Sequence, residues 1–326
     1  MNEPLTPATP EALAEAVRAH PRVLAIGART KPRLSRMPAE VTLISTRALR
    51  GMVEYEPDEF TFTARAGTPV REIERELAAR GQYLPFDPLW LDAGATLGGT
   101  VAAGLSGPGR FRFGGVRDFI LGIRFVDGMG RLLRMGGKVV KNCAGFDLPK
   151  FMVGGLGRYG ALAELSFKVF PLPAARLTLQ LPTEGAEAAA RVFTEAAGAR
   201  WECEALAPDR AEALWAEVRE FRWAHADGVL AKVALTPAAM PALDAAVRSL
   251  KGARLHFSVG GNLAFVSLPP AVALTALPER LRALGLAGLT LRGGAPLWPG
   301  RHTIPAIAGA VKQALDPDNR FPPTED

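Results

Sequence analysis

The chain has 326 residues, longer than one hydrophobic core usually supports, so two domains are expected. Hydrophobic residues make up 48% of the chain, which is typical of a well-packed protein, and no apolar run reaches the ~20 residues that cross a bilayer. The formal net charge is +6, but the arginines are dispersed and no Lys/Arg-rich run of roughly five to eight residues occurs, so nucleic-acid binding is not expected.

The N-terminus and the cysteines bear on the compartment. Residues 1–10 are polar and proline-rich and lack the apolar region of a secretory signal. Cys143 and Cys203 cannot build a disulfide framework and are expected to be reduced thiols. We therefore expect a cytoplasmic protein without a transmembrane segment, with membrane association left open only through a complex.

The spacing of the hydrophobic residues and the positions of the turn residues predict a mixed α+β fold for the first half of the chain. Val70, Ile73 and Leu77 share one stripe of a helix over 69–80, and a hairpin turn is predicted at 127–130. The other predicted elements are a helix over 11–19, a strand that begins at Val23, and strands over 41–45, 60–66, 119–126 and 131–135.

The segment from Ala93 to Gly104 is dense in glycine, alanine and threonine. Missing Cβ atoms let consecutive N–H groups converge on a phosphate, and a helix opening after Thr96 would add free N–H groups and its positive dipole end. A plain glycine-rich turn between strand and helix is the alternative. The spacing is not G-x-G-x-x-G, so the segment is not a Rossmann fingerprint.

Further motifs surround this segment in a fixed order. The strand at Val23 leads into the small basic loop G-A-R-T-K at 27–31, and a third glycine cluster, G-G-L-G-R-Y-G, occupies 154–160. Between them lie G-V-R-D-F-I-L-G at 115–122 and K-N-C-A-G-F-D-L at 141–148. The set resembles the FAD-binding domain of the vanillyl-alcohol oxidase and p-cresol methylhydroxylase family, with its patterns G-A-T-I-G-G/N-x-V-A, R-D-x-V-L-G, K-N-x-A-G-Y-D-L and G-S-E-G-T-L-G-V-I-T-E.

This resemblance covers residues 23–173 and implies an α+β fold: an FAD-binding domain of the p-cresol methylhydroxylase type with a small α+β cap domain. It implies that the first loop and the glycine/threonine segment hold the FAD pyrophosphate. Arg29 stands where some relatives place a flavin-linking histidine, so non-covalent FAD is implied. The implied cofactor-binding residues are Gly27, Ala28, Arg29, Thr30, Lys31, Pro88, Gly94, Ala95, Thr96, Gly98, Gly99, Thr100, Ala103, Ser106, Arg117, Gly157, Gly160 and Leu162.

Several cations near these loops have two interpretations. Lys31 could neutralise the pyrophosphate or be a solvated loop lysine. Arg110, Arg112 and Arg117 crowd a glycine-rich loop, where an arginine can serve phosphate or carboxylate. A structural ion pair between Arg117 and Asp118 is the alternative.

A boundary is predicted near 171–173, before a second half of short strands and helices. Strands are predicted over 177–181, 200–206, 229–235, 256–259 and 263–268, and helices over 185–197, 208–219 and 240–250. This order fits the family's small cap sheet with helices on one face. The C-terminal L-D-P-D-N-R-F resembles the family's L-D-P-x-x-x-F-N-P. The expected domains are FAD binding over 1–173, a reduced substrate cap over 174–300, and a tail over 301–326 that returns to the FAD domain.

The second half lacks an obvious acid or base. Related D-lactate and glycolate dehydrogenase subunits carry an H-x-G-D-G-N-L-H segment there, to which His256–Ala264 corresponds best. The aspartate of that pattern falls on Gly260 and its last histidine on Ala264, and the segment also reads as a plain hairpin. Without metal-ligand spacing, the remaining histidines are expected to be structural or on the surface: His20, His225 and His302. No catalytic residue and no metal site are assigned.

Within the family, the chain is most similar to FAD-binding accessory subunits of bacterial glycolate oxidase. That likeness implies a flavin-binding subunit of a multi-subunit 2-hydroxy-acid (glycolate) oxidase or dehydrogenase, with a larger catalytic flavoprotein and an iron–sulfur subunit as partners and weak or no activity alone. A stand-alone FAD-linked oxidase of a small alcohol or hydroxy acid is the alternative, which the missing acid and base disfavour. Intact Gly94, Gly98 and Gly99 argue against a third option, a scaffold that has lost its flavin.

Overall fold

The computed structural model describes residues 3–37, 40–137, 146–195 and 203–323. Within them the chain forms two compact units: the first comprises Met1–Thr30, Ser35–Leu172 and Ile304–Asp326, and the second comprises Lys31–Leu34 and Pro173–Thr303. Three predicted features lie wholly or partly outside the described residues: Cys143, residues 141–145 of the K-N motif, and the adjoining ends of the helix over 185–197 and the strand over 200–206.

The first unit contains an antiparallel sheet. The strands of this unit are β1 Val23–Ile26, β2 Thr42–Ser45, β3 Met52–Glu56, β4 Thr61–Arg65, β5 Gln82–Tyr83, β6 Ile120–Val126, β7 Leu132–Gly136, β8 Ala161–Lys168 and β9 Phe170–Pro171. In the sheet β3, β4, β8, β6 and β7 lie side by side in that order, while β1 pairs with β2 in parallel and β5 pairs with β9.

Helices cover this sheet, and the first of them begins at a side-chain cap. The side chain of Thr9 accepts a hydrogen bond from the amide of Ala12, and Pro10 occupies the first helical position, so the first helix has a defined start. The helices are α1 Pro10–Ala19, α2 Val70–Ala78, α3 Leu97–Ala103, α4 Arg110–Phe113, α5 Val116–Phe119 and α6 Leu148–Met152. The predicted helices over 11–19 and 69–80 are confirmed.

The core of the first unit is aromatic at its centre. Phe62 of β4 and Phe167 of β8 are register partners whose rings stack at 5.8 Å. Phe86 packs against Phe167 at 5.8 Å and against Phe119 at 6.1 Å, and all four side chains are buried. The apolar stripe of α2 joins this cluster, which makes the sheet a rigid support for the loops at its edge.

The second unit has its own antiparallel sheet. The elements of this unit are β10 Leu179–Gln180, β11 Glu204–Ala205, β12 Val229–Ala234, β13 Arg254–Ser258, β14 Leu263–Leu268, β15 Ala287–Arg292, α7 Gly185–Glu195, α8 Pro208–Glu220, α9 Met240–Arg248 and α10 Ala276–Ala283. The sheet order is β13, β14, β12, β15. Alternate residues of β12 pack with Met240, Leu243 and Val247 of α9, so helices cover one face as the sequence predicts. The sequence prediction contains neither α10 nor β15.

The chain then enters the first unit again with α11, Ala306–Leu315. Short 3₁₀ turns lie at Pro32–Ser35, Thr46–Ala48, Pro57–Glu59, Pro237–Ala239 and Val259–Gly261. Among the described ranges, no helix has both the length and the apolar character needed to cross a membrane.

Candidate functional site

A recess in the first unit is lined by residues from three segments that are far apart in sequence. Its empty volume, counted out to the open mouth, is about 460 Å³. Six of the predicted cofactor-binding residues line it: Gly27, Gly98, Gly99, Gly157, Gly160 and Leu162. The structure therefore brings the first loop, the glycine/threonine segment and the third glycine cluster to one place.

Other residues of the lining are not among the sequence predictions: Ala25, Ile26, Thr46, Ala66, Ala102, Met152, Gly155 and Tyr159. Ala25 and Ile26 are the last residues of β1, directly before the predicted loop, so extending the motif by two positions would have included them. No sequence motif near Ala66 or Thr46 indicates that they line a binding site. They reach the recess only because the sheet and its neighbouring turn place them there.

The first loop offers backbone amides to an anion. Within the described residues, the N–H groups of Ala28 and Arg29 have no hydrogen-bond acceptor. Arg29 has φ +55°, a left-handed conformation that non-glycine residues seldom adopt and that turns successive N–H groups towards one point. Its side chain is exposed. This geometry suits a phosphate group.

The second segment forms the start of α3, and here one sequence prediction is wrong. The amides of Leu97 and Gly98 donate to the carbonyls of Thr68 and Ala66, at 2.9 and 2.7 Å. The Gly99 amide donates to Thr96 Oγ1 at 3.3 Å, which caps the helix. Because the chain beyond β4 and the cap take these N–H groups, the first residues of α3 do not offer them to a phosphate.

The two glycines of α3 differ in how closely other atoms pack against them. A Cβ atom on Gly98 would lie 2.8 Å from the Cβ of Ala66 and 3.0 Å from its carbonyl oxygen, so the helix can approach the sheet only with glycine there. A Cβ atom on Gly99 would meet only Thr96 Oγ1, at 3.0 Å. Gly98 therefore allows the helix to pack closely on the sheet. Gly99 lines the recess without adding a side chain to it.

The third glycine cluster is held from the C-terminal helix. Lys312 of α11 is buried and its Nζ donates to the carbonyl oxygen of Arg158 at 2.8 Å and to Asp316 Oδ2 at 2.6 Å. Burial lowers the pKa of Lys312, and its contact with Asp316 opposes that shift. Because Arg158 lies between Gly157 and Tyr159, this bond fixes the backbone that lines the recess.

The other predicted residues lie elsewhere or play other parts. Ser106 Oγ accepts the amide of Val116 at 3.1 Å, and Asp118 accepts the amide of Gly115 at 2.8 Å, while Arg117 is exposed. Lys31 belongs to the second unit, is buried, and its pKa is lowered by burial to about 8. Not part of the lining are Ala28, Arg29, Thr30, Lys31, Pro88, Gly94, Ala95, Thr96, Thr100, Ala103, Ser106 and Arg117.

The segment His256–Ala264 of the second unit is a hairpin. Phe257 of β13 and Ala264 of β14 are register partners, and Ala264 is fully buried. Gly260, where the related pattern has aspartate, lies in the connecting turn with φ +59°. His256 packs against Trp223 with 5.7 Å between ring centroids, and burial lowers its pKa. In the described part of the chain, no group of three or more His, Cys, Asp or Glu could hold a metal ion.

Known proteins match a part of the chain that includes the first loop and the glycine/threonine segment. Residues 5–136 match the family described as FAD binding domain. Glycolate oxidase subunit GlcE of Escherichia coli (strain K12) is 47% identical over 154 residues, which cover 47% of this chain and 44% of that protein. Residues 5–136 form an FAD-binding domain.

Other comparisons extend beyond this FAD-binding domain. Glycolate oxidase subunit GlcD of Bacillus subtilis (strain 168) is 29% identical over 149 residues, which cover 46% of this chain and 32% of that protein. Both alignments span less than half the length of the relative. A solved structure of alkyldihydroxyacetonephosphate synthase covers 100% of this chain and 78% of its own, with a TM-score of 0.68 at 15% identity. The predicted α+β fold, with a p-cresol methylhydroxylase-type FAD-binding domain and a small cap, is confirmed.

The lining of the recess fits FAD. It holds no carboxylate among the described residues, and glycines and alanines dominate it, so a large anionic group meets neither repulsion nor bulk. In the adjoining first loop, the amides of Ala28 and Arg29 have no acceptor within the described residues. The first unit thus has small lining residues and, in the adjoining loop, amide donors.

Proposed function

We propose that this chain is the FAD-binding subunit of a multi-subunit 2-hydroxy-acid oxidase or dehydrogenase of the glycolate oxidase type. The observation that carries the proposal is the recess, in which three glycine-containing segments of the first unit meet. The relatives named glycolate oxidase subunits support the substrate class and the assembly.

In this proposal the first loop binds the FAD pyrophosphate through the amides of Ala28 and Arg29, and Gly27, Gly99 and Gly157 form walls without side chains. Bound there, FAD supplies two-electron oxidation of a hydroxy acid or onward transfer of its electrons. The chain's own residues bind and orient the cofactor and exclude water from the recess with Met152 and Leu162.

Attachment is proposed to be non-covalent. The first loop contains no histidine or cysteine, and its exposed side chain at the turn is Arg29. A guanidinium does not form the stable bond to flavin that a histidine nitrogen or a cysteine sulfur can form.

A partner is proposed to supply the acid and base for the substrate. Abstraction of a proton from a hydroxy acid by a positioned base is typically worth roughly 10²–10⁴-fold in rate. The hairpin at 256–264 has glycine and a buried alanine where the related segment has aspartate and histidine. A larger flavoprotein subunit and an iron–sulfur subunit complete this proposal, in a cytoplasmic complex that touches the membrane only through its partners.

The visible spectrum and a dye-reduction assay test the proposal. We expect the purified chain to carry a flavin absorption band and to reduce no artificial acceptor with glycolate or D-lactate until the partner subunits are added. A colourless chain that binds no added FAD would refute the cofactor. Steady dye reduction by the chain alone would refute the accessory role and favour a stand-alone oxidase.

A further inference from the structure

Tyr159 is one of the residues that line the recess, and its side chain carries a phenol hydroxyl. The residue is 9% exposed, and its hydroxyl has no hydrogen-bond partner within the described residues. The remaining lining contributes one other side-chain hydroxyl, that of Thr46, which donates to the carbonyl of Ile26 at 3.2 Å. Among the described lining residues, Tyr159 therefore carries the hydroxyl that has no hydrogen-bond partner.

The ring of Tyr159 is held in place before any ligand arrives. It packs edge-on against Phe151, with 4.8 Å between centroids, and Gly155 leaves room for it, since a Cβ atom there would lie 3.0 Å from the ring. The preceding carbonyl, that of Arg158, is fixed by Lys312. A donor on such a pre-organised ring binds an acceptor at little cost in side-chain entropy.

This hydroxyl departs from the family's sequence pattern. G-S-E-G-T-L-G has leucine at the position of Tyr159, and leucine would complete an apolar wall. Burial raises the pKa of Tyr159, which keeps the phenol protonated and able to donate at neutral pH. Because this hydroxyl has no hydrogen-bond partner within the described residues, an acceptor on a ligand can bond to it without displacing a protein group.

We propose that Tyr159 is an FAD-binding residue whose hydroxyl donates a hydrogen bond to an acceptor atom of the bound cofactor. The inference rests on the proposed FAD site. FAD presents phosphate oxygens, ring carbonyls and ring nitrogens, all of which accept hydrogen bonds from a phenol. The contribution of the Tyr159 hydroxyl can be measured as the affinity of the chain for FAD, without an activity assay.

The test compares two tyrosines of the same unit in the full chain stripped of flavin. Tyr159→Phe removes the hydroxyl in the recess, and the control Tyr55→Phe removes one that donates to Gln82 Oε1 at 2.9 Å and does not line the recess. Titration with FAD, followed by flavin fluorescence, should give a Kd about tenfold higher for Tyr159→Phe and within about twofold of wild type for the control. Parallel titration with ADP locates the acceptor: a shared loss places it on the ADP half, a loss confined to FAD on the flavin half.

Stability measurements keep the result interpretable. The thermal midpoint of the flavin-free Tyr159→Phe chain should equal that of wild type, and Tyr159→Leu, which restores the family's residue, should show the same loss of affinity. A wild-type Kd in Tyr159→Phe, or an equal loss in both tyrosine variants, would overturn the inference while leaving the FAD site intact. Failure of the wild-type chain to bind FAD would overturn the proposed function and this inference together.

Discussion

Thr96 Oγ1 lies 2.2 Å from the position that a Cβ atom on Gly27 would take. The same oxygen accepts the amide of Gly99 at 3.3 Å, so one hydroxyl caps α3 and also bounds the first loop. The two loops meet with no space for a methyl group.

A side chain at position 27 should therefore push the first loop away from Thr96. We expect Gly27→Ala to weaken FAD binding at least about tenfold, since overpacking of this kind costs roughly 1–3 kcal/mol. Adding Thr96→Ala should recover part of the affinity, because the next-nearest atom of Thr96 would lie at 3.4 Å. Isothermal titration of the single and double variants measures both effects.

Gly309→Ala is the matched control for this pair. It changes a glycine on α11 where a Cβ atom would meet nothing within 4 Å. An unchanged FAD affinity in Gly27→Ala would show that the first loop does not contact the cofactor.

The two adjacent glycines of α3 should respond differently to alanine. Gly98→Ala forces a Cβ against the backbone and Cβ of Ala66, so we expect a loss of about 1–3 kcal/mol in the free energy of unfolding. Gly99→Ala should leave that free energy nearly unchanged and weaken FAD binding, and Gly99→Val should abolish binding in a folded chain. Urea unfolding and FAD titration of each variant separate the two roles. Equal destabilisation by both alanines would contradict this distinction.

Denaturation should release the flavin. Because the first loop offers Arg29 rather than a histidine, we expect acid precipitation of the flavin-loaded chain to leave all yellow colour in the supernatant. Absorption of the supernatant and the redissolved pellet gives the partition. Colour that stays in the pellet would require a covalent bond at another residue.

The buried Lys31 should make stability depend on alkaline pH. Its pKa falls from 10.5 to about 8 on folding because burial disfavours the charged form. Between these values the unfolded chain binds the proton and the folded chain does not, so stability rises with pH across that window. Compared with Lys31→Met, the wild-type chain should gain free energy of unfolding from pH 8 towards pH 10. Parallel curves for the two chains in urea melts would show that Lys31 is not perturbed.

Local sequence patterns predicted most of the elements near the recess. Thr9 followed by proline starts α1, and the apolar stripe of Val70, Ile73 and Leu77 gives α2. The glycine clusters were recognisable because each depends on neighbouring residues alone. Such features are set by contacts within a few residues, which a pattern in the sequence records directly.

Only the tertiary structure decided which donors remain for a ligand. The amides of Leu97 and Gly98 are taken by carbonyls beyond β4, and Lys312 bonds to the carbonyl of Arg158, 154 positions away. Tyr159, by contrast, lines the recess, and its hydroxyl has no hydrogen-bond partner within the described residues. The residue type determines whether a group can donate or accept a hydrogen bond. Its partner depends on which distant segment packs against it. The residue types of the site are therefore readable from the chain, and their availability only from the fold.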